Sequence, residues 1–384
     1  MATIQQKAQS YQEKINAERT QKIRELLRSL PSSCTDFIRS IAITTSALTR
    51  MAYTIDLRVF FDYAFKELPI FDSEKPSQVT DAEIGRLKPR DLDGYSDYLT
   101  LYFNQTDAEA DEPALRPLRN HEYGIMRKLS SLRSYFEYMF RLGRIPGNIA
   151  TLVPLPKLHE KPILFLEDNE IKRLLQIAYD GDALTDRQRK YHEHTYLRDY
   201  AMLMLFLGTG VRVSECVGVD LEDIDFTSNA LLVVRKGGDQ VILYFPQEVA
   251  DALLAYRDER MLIETLPGHE HAFFLSMQRR RITQRAVQQM VKKYCAAVVP
   301  LKKKMSPHKL RSTYATHLYR ETQDIYLVAE ALGHADVNTT RKHYAAMSDA
   351  RRRSAATHTH LPAQGEANTL DESPEFEAHD SSTD

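Results

Sequence analysis

Seven side chains in the C-terminal half of this 384-residue chain are of types that could work together on an anion. Arg212 and Glu215 lie three residues apart in "GTGVRVSECVGV", and Lys236 lies in "VVRKGGDQ". His308 and Arg311 are three apart in "SPHKLRSTYATHL", and His334 and Tyr344 fall in "GHADVNTTRKHYAAM". A guanidinium grips anionic oxygens with two parallel hydrogen bonds. An imidazole moves protons near neutral pH. A tyrosine hydroxyl, with a pKa of about 10, becomes a nucleophile only as it loses its proton. Such a set has the parts for attack of a tyrosine on a charged ester. Each residue alone also has an ordinary reading: a solvated helix start for Arg212, an exposed hairpin charge for Lys236, a capping histidine, a packing tyrosine.

The elements that must position these groups can be read from pattern. "LRDYAMLMLFLGTG" is an apolar helix ending at Gly-Thr-Gly, after which a new helix begins at Arg212. "ALLVVR" and "QVILYF" flank "KGGD" as a hairpin with Lys236 at its tip. "PHKLRSTYATHLYRE" reads as a helix with His308 and Arg311 on one face. The helical pattern "IYLVAEALGH" then leads to His334. Upstream, "FLEDNEIKRLLQIAYD" is a helix with an acidic first turn, and "GDALTDRQRKYHEHTY" is a polar insertion. The N-terminal part reads as helices throughout, including "QQKAQSYQEKINAERTQKIRELLRSL", "GYSDYLTLYFN" and "EYGIMRKLSSLRSYFEYMFRLG". In "TTSALTRMAYTIDLRVFFDYAFKEL" the apolar face is expected through Leu48, Met51, Ile55 and Val59. The aromatic stripes are expected to be core. "IPGNIATLVPLPKLHEKP" carries four prolines and marks a linker near residues 154–162.

The length allows two domains, and 43% hydrophobic with 27% charged residues is an ordinary globular composition. The polar N-terminus lacks a signal-peptide core, and no apolar run reaches the roughly 20 residues of a membrane span. Cys34, Cys216 and Cys295 show no metal-ligand spacing and are expected to be reduced thiols of a cytoplasmic protein, with Cys216 a small buried hydrophobe. No metal site is expected. Residues 362–384 hold seven acidic residues and no Lys or Arg, which reads as a disordered tail; without them the net charge of −2 becomes +5. From Gln278 to Arg311 there are eleven Lys or Arg and no Asp or Glu. A block of one sign at this density serves an anionic partner, with nucleic acid favoured over a merely solvated face.

The ordered motifs resemble those of the tyrosine site-specific recombinases, the family of phage integrases and bacterial Xer proteins. The family's G-x-R-x-S-E, hairpin lysine, H-x-x-R, G-H and C-terminal tyrosine fall on Arg212, Lys236, His308, Arg311, His334 and Tyr344. One H-x-x-R carries no weight, but five matches in order are specific. The resemblance covers residues 160–350 well and 40–150 in outline. It implies a mainly α protein: a helical DNA-clamping domain at 1–155 (with an extra N-terminal helix in 1–40) and an α-rich catalytic domain with a small antiparallel sheet at 156–361. It further implies that Arg212 and Arg311 clamp the nonbridging oxygens of a DNA phosphodiester. His308 would serve as general base, His334 as a phosphate hydrogen-bond donor and Lys236 as acid for the leaving 5′-oxygen. Glu215 would orient an arginine. The intermediate implied is a 3′-phosphotyrosine on Tyr344, with no cofactor, metal or ATP expected. Two departures weaken a subfamily assignment: His343 precedes the tyrosine and Ala346 follows it where many members have a histidine, and the gap from His334 is one residue longer than in Xer proteins.

In "ITQRAVQQMVKKY" and its flanks, Arg285 and Gln288 are expected at base edges. Arg279, Arg280, Lys292, Lys293, Lys302, Lys303 and Lys304 complete the expected DNA contacts, the lysines at phosphates. The expected partner is double-stranded DNA with paired inverted core sites, bound by a homotetramer in the nucleoid, with an accessory recombination or chromosome-segregation protein and no membrane. Two other readings compete. A nicking-closing topoisomerase is disfavoured by the paired histidines and the bacterial form of the arginine motif. A DNA-binding module that has lost catalysis predicts a damaged constellation, and all six positions are intact. With residues 1–40 helical, the chain is read as acting on simple core sites, either in chromosome dimer resolution or in mobile-element integration and excision.

Overall fold

The computed structural model describes the backbone of residues 2–105, 115–159, 163–235, 238–302, 304–333 and 337, with side chains omitted for 2–12 and 103–117. In chain order the elements are α1 (Ala2–Leu27), α2 (Ser32–Ser40), α3 (Ala47–Glu67), α4 (Asp81–Ile84), α5 (Pro89–Tyr98), β1 (Tyr102–Gln105), β2 (Leu115–Leu118) and α6 (Glu122–Arg141). Then follow α7 (Asp168–Asp180), α8 (Asp186–His192), α9 (Tyr196–Thr209), α10 (Val213–Gly218), β3 (Ile224–Asp225), β4 (Ala230–Val234), β5 (Gln240–Tyr244), α11 (Gln247–Met261), α12 (Gln284–Val298), α13 (Pro307–Thr322) and α14 (Ile325–Leu332). The chain is mainly α with small antiparallel sheets, as the pattern predicts.

Two hydrophobic clusters share no residue. The first spans Ile23 to Val153 and is built on aromatic rings, with Phe60 edge-on to Tyr95 at 5.2 Å and Phe37 edge-on to Tyr135 at 5.7 Å. Such contacts add directional preference to the burial itself. The face that α3 turns inward differs in part from the expected one: Met51 and Val59 pack half-buried against the core, but Leu48 and Ile55 are 50% and 40% exposed, and Leu57, Phe60, Phe61 and Ala64 are the buried set. The bulkier aromatic stripe wins the core because it removes more apolar area from water. A second difference is the pairing of β1 with β2, Tyr102 opposite Leu118, in a region read as helix and loop.

The second cluster spans Leu166 to Leu310. At its centre lies α9, apolar on nearly every side, with Ala201, Met202, Leu203, Leu205 and Phe206 all fully buried. It packs against α7, α11 and α13. The sheet runs β3-β4-β5, antiparallel, with Leu231 opposite Leu243 and Val234 opposite Gln240. Leu231 and Val233 enter the core, whereas Ile242 and Tyr244 face outward.

The chain that enters this second unit is stitched along α13. Leu166 donates its amide to Thr313 Oγ1 (3.0 Å), and its carbonyl lies 2.8 Å from His317 Nε2. Arg320 reaches Glu167, and Lys302 Nζ donates to the Phe165 carbonyl. Beyond α13, the turn at Gln323 leads into α14, whose Val328 and Leu332 pack on Ala315 of α13. The end of α14 is thereby brought to the end of α9.

Candidate active site

The junction of α9 and α10 sets the first arginine. Gly210 closes α9 in the left-handed region at φ +62°, and a methyl group there would also collide with the Tyr314 ring, so glycine is required twice over. Tyr314 of α13 packs at this junction. Arg212 then caps α10 in extended conformation. Its amide donates to Glu215 Oε2 (2.9 Å) and its Nη1 to Glu215 Oε1 (2.7 Å), so one buried carboxylate fixes both ends of the residue.

Arg311 comes from the opposite side, on α13, and is 6% exposed. Its Nη1 donates to the Gly210 carbonyl and its Nη2 to the Leu332 carbonyl. Arg212 Nη2 points at the same turn, 3.4 Å from the Leu332 oxygen and 3.3 Å from that of Gly333. Two guanidinium groups, 99 residues apart in the chain, thus converge on the carbonyl end of α14. That end carries partial negative charge, so it is a natural resting place for cations. Burial first, then the neighbouring Arg212 charge, pushes the Arg311 guanidinium down to about 10, against the help of Glu215. His308, one turn before Arg311 on α13, is exposed.

A third guanidinium belongs to this cluster and escaped the sequence reading. Arg235, at the end of β4, lies against Gly333, where a methyl group would overlap it. Its charge also acts on Arg311. The available signal was the adjacency of Arg235 to Lys236, but only the long-range approach of α14 to β4 makes it meaningful. Lys236, His334, Tyr344 and Lys303 lie outside the described residues.

The expected DNA-contact residues divide. Arg285, Gln288 and Lys292 are exposed at i, i+3 and i+7, on one face of α12. Arg279, Arg280 and Lys304 are exposed as well, with Arg279 at 3.9 Å from Glu264. Lys293 and Lys302 face inward instead. Lys293 Nζ lies 3.1 Å from the buried Asp199 carboxylate, which also binds Arg198 and Tyr294, and 3.9 Å above the Tyr294 ring. Lys302 Nζ holds Glu170 Oε2 at 2.5 Å. Lys293 is committed to a buried carboxylate and is a poor phosphate contact, because leaving would strand that charge; Lys302 and Glu170 are half-buried.

Cys34, Cys216 and Cys295 are unpaired and buried, and burial pushes their thiols up. Among the described residues no helix is long and apolar enough to cross a membrane.

Known proteins resemble this chain in sequence and in fold. Residues 165–351 match the phage integrase family. Tyrosine recombinase XerC of Thermodesulfovibrio yellowstonii is 33% identical over 220 residues, covering 56% of this chain and 69% of the relative. XerC of Chlorobaculum tepidum is 30% identical over 329 residues, covering 82% and 89%. Among solved structures, XerH bound to palindromic difH in a post-cleavage complex aligns with a TM-score of 0.57 at 19% identity, covering 82% of this chain and 81% of that one. The Tn1549 transposon integrase with circular intermediate DNA aligns at 0.58 and 18%, covering 85% and 99%. At such identities the structural likeness concerns the fold; the sequence relatives, matched over most of their length, establish the kinship. The chain belongs to the tyrosine recombinase (phage integrase) family, enzymes that cleave and rejoin DNA strands at specific sites.

Proposed function

We propose that Arg212 and Arg311 bind the nonbridging oxygens of the scissile phosphodiester and that Tyr344 attacks its phosphorus. The bond from phosphorus to the tyrosine oxygen forms as the bond to the 5′-oxygen breaks. His308 accepts the phenol proton, and Lys236 protonates the departing 5′-oxygen. His334 donates a hydrogen bond to the phosphate, and Glu215 holds Arg212 in register. The 3′-phosphotyrosine conserves the ester energy, so a second strand's 5′-hydroxyl reverses the step without a further energy source. The observation that carries this reading is the convergence of Arg212 and Arg311 on the Leu332 carbonyl, which sets two forked donors around one point.

In this reading residues 1–155 and 156–361 close on duplex DNA from opposite sides. The exposed α12 face (Arg285, Gln288, Lys292) follows the groove, with Arg279, Arg280 and Lys304 on flanking phosphates. Lys293 and Lys302 are assigned structural roles. Four copies on two paired inverted core sites exchange strands in the nucleoid, with an accessory segregation or recombination protein setting direction. Sites on one molecule give resolution or excision, and sites on two give integration. The biological role in this reading is chromosome dimer resolution or mobile-element integration and excision.

The test is a plasmid carrying two direct repeats of the sequence that the wild-type protein cuts. Wild type should yield two circles. Arg212→Ala and Arg311→Ala should bind the DNA yet cleave it about 10²–10³-fold more slowly. Cleavage by both variants at the wild-type rate would remove these arginines from the phosphate site.

A further inference from the structure

Three guanidinium groups and one carboxylate meet at the turn that ends α14. Arg212 and Arg311 donate to its carbonyls. Arg235 lies over Gly333 in the same turn, which Gly333 makes possible by having no side chain and adopting φ +60°. The carboxylate is Glu215, and it contacts Arg212. Arg235 Nε is buried without a hydrogen-bond partner, and among the described residues no carboxylate pairs with its guanidinium. Among the described residues the cluster therefore carries an excess of two positive charges, before the neighbouring Lys236 is counted. A phosphodiester has one negative charge, and its transition state approaches two. A fixed excess of two suits the transition state better than the ground state, and only that difference accelerates the reaction.

We propose that Arg235 is a third arginine of the phosphate site, moving from Gly333 to a nonbridging oxygen of the scissile phosphodiester when DNA enters. This rests on the strand-transfer reading of the same site. Capping of α14 accounts for a cation near these carbonyls, but Arg311 and Arg212 already satisfy them. The third charge is superfluous for the helix end and costly beside the other two. Sitting at the end of β4, immediately before Lys236, Arg235 is also fixed to the sheet that carries the hairpin.

The experiment uses the full chain and the duplex that the wild-type protein cuts. The rate of covalent adduct formation is measured for wild type, Arg235→Gln and Arg235→Lys, and binding is measured against salt concentration in a Tyr344→Phe background. Arg235→Gln is expected to slow adduct formation about 10²–10³-fold and to reduce the slope of log affinity against log salt by about 1. Arg235→Lys should keep the slope and recover part of the rate. It also carries the test if the glutamine variant does not fold, since a wild-type rate in Arg235→Lys would exclude a forked contact. An unchanged slope with a slowed Arg235→Gln would reduce Arg235 to a brace on Gly333 and overturn the proposal. An unchanged rate and slope would overturn it outright. Absence of any adduct with wild type would instead sink the strand-transfer reading, and this proposal with it.

Discussion

Glu215 is the carboxylate on which the arrangement of Arg212 depends, since it binds both the backbone amide and the guanidinium. Glu215→Ala leaves Arg212 free to reorient and adds one uncompensated charge to the cluster. Misplacement by about 1 Å can cost 10²-fold in rate. Adduct formation in single turnover is therefore expected to fall by about that factor, while DNA affinity measured by fluorescence anisotropy holds. An equal loss of affinity would mean that Glu215 shapes the DNA surface rather than the reacting centre. At this scale the sequence was highly legible wherever partners are close in the chain. The three-residue spacing suits a cap and its carboxylate for Arg212 and Glu215, and, within a helical pattern, places His308 and Arg311 on one face. Arg235 was not legible, because its meaning comes from Gly333, 98 residues further along.

The helix α12 shows how one position around a helix changes a lysine's work. Lys292 faces solvent beside Arg285 and Gln288, whereas Lys293 turns about 100° further and meets Asp199 of α9, 94 residues earlier in the chain. Burial alone would raise the Asp199 carboxyl, but Arg198 and Lys293 hold it below the usual carboxylate range. Lys293→Met is expected to destabilise the fold by about 2 kcal/mol, less than a fully stranded buried charge costs because Arg198 and Tyr294 remain. It should leave the salt slope of DNA binding unchanged. Lys292→Met should do the reverse, keeping stability in chemical denaturation and lowering the slope by about 1. In the sequence these are two adjacent lysines of one basic run, and nothing local separates them, because Asp199 is remote. The same limit hid the β1–β2 pair, whose strands are four residues each, too short to show a period. The β4–β5 hairpin, with its β-branched runs on either side of "KGGD", was legible from local chemistry alone.

At the scale of the whole chain, the buried residues of the first hydrophobic cluster end at Val153 and those of the second begin at Leu166, and the entry to the second is stitched to the helix that carries His308 and Arg311. The proposed chemistry is strand cleavage by Tyr344 in a site organised by Arg212 and Arg311. Its most direct test incubates supercoiled plasmid from the source genome with wild type and with Tyr344→Phe, without added metal or ATP, and looks for protein–DNA adducts that survive SDS and vanish on proteinase treatment. That chemistry predicts adducts at discrete sequences with wild type and none with Tyr344→Phe, although the variant still binds. An adduct of equal yield with Tyr344→Phe would contradict it, because the nucleophile would then be another residue.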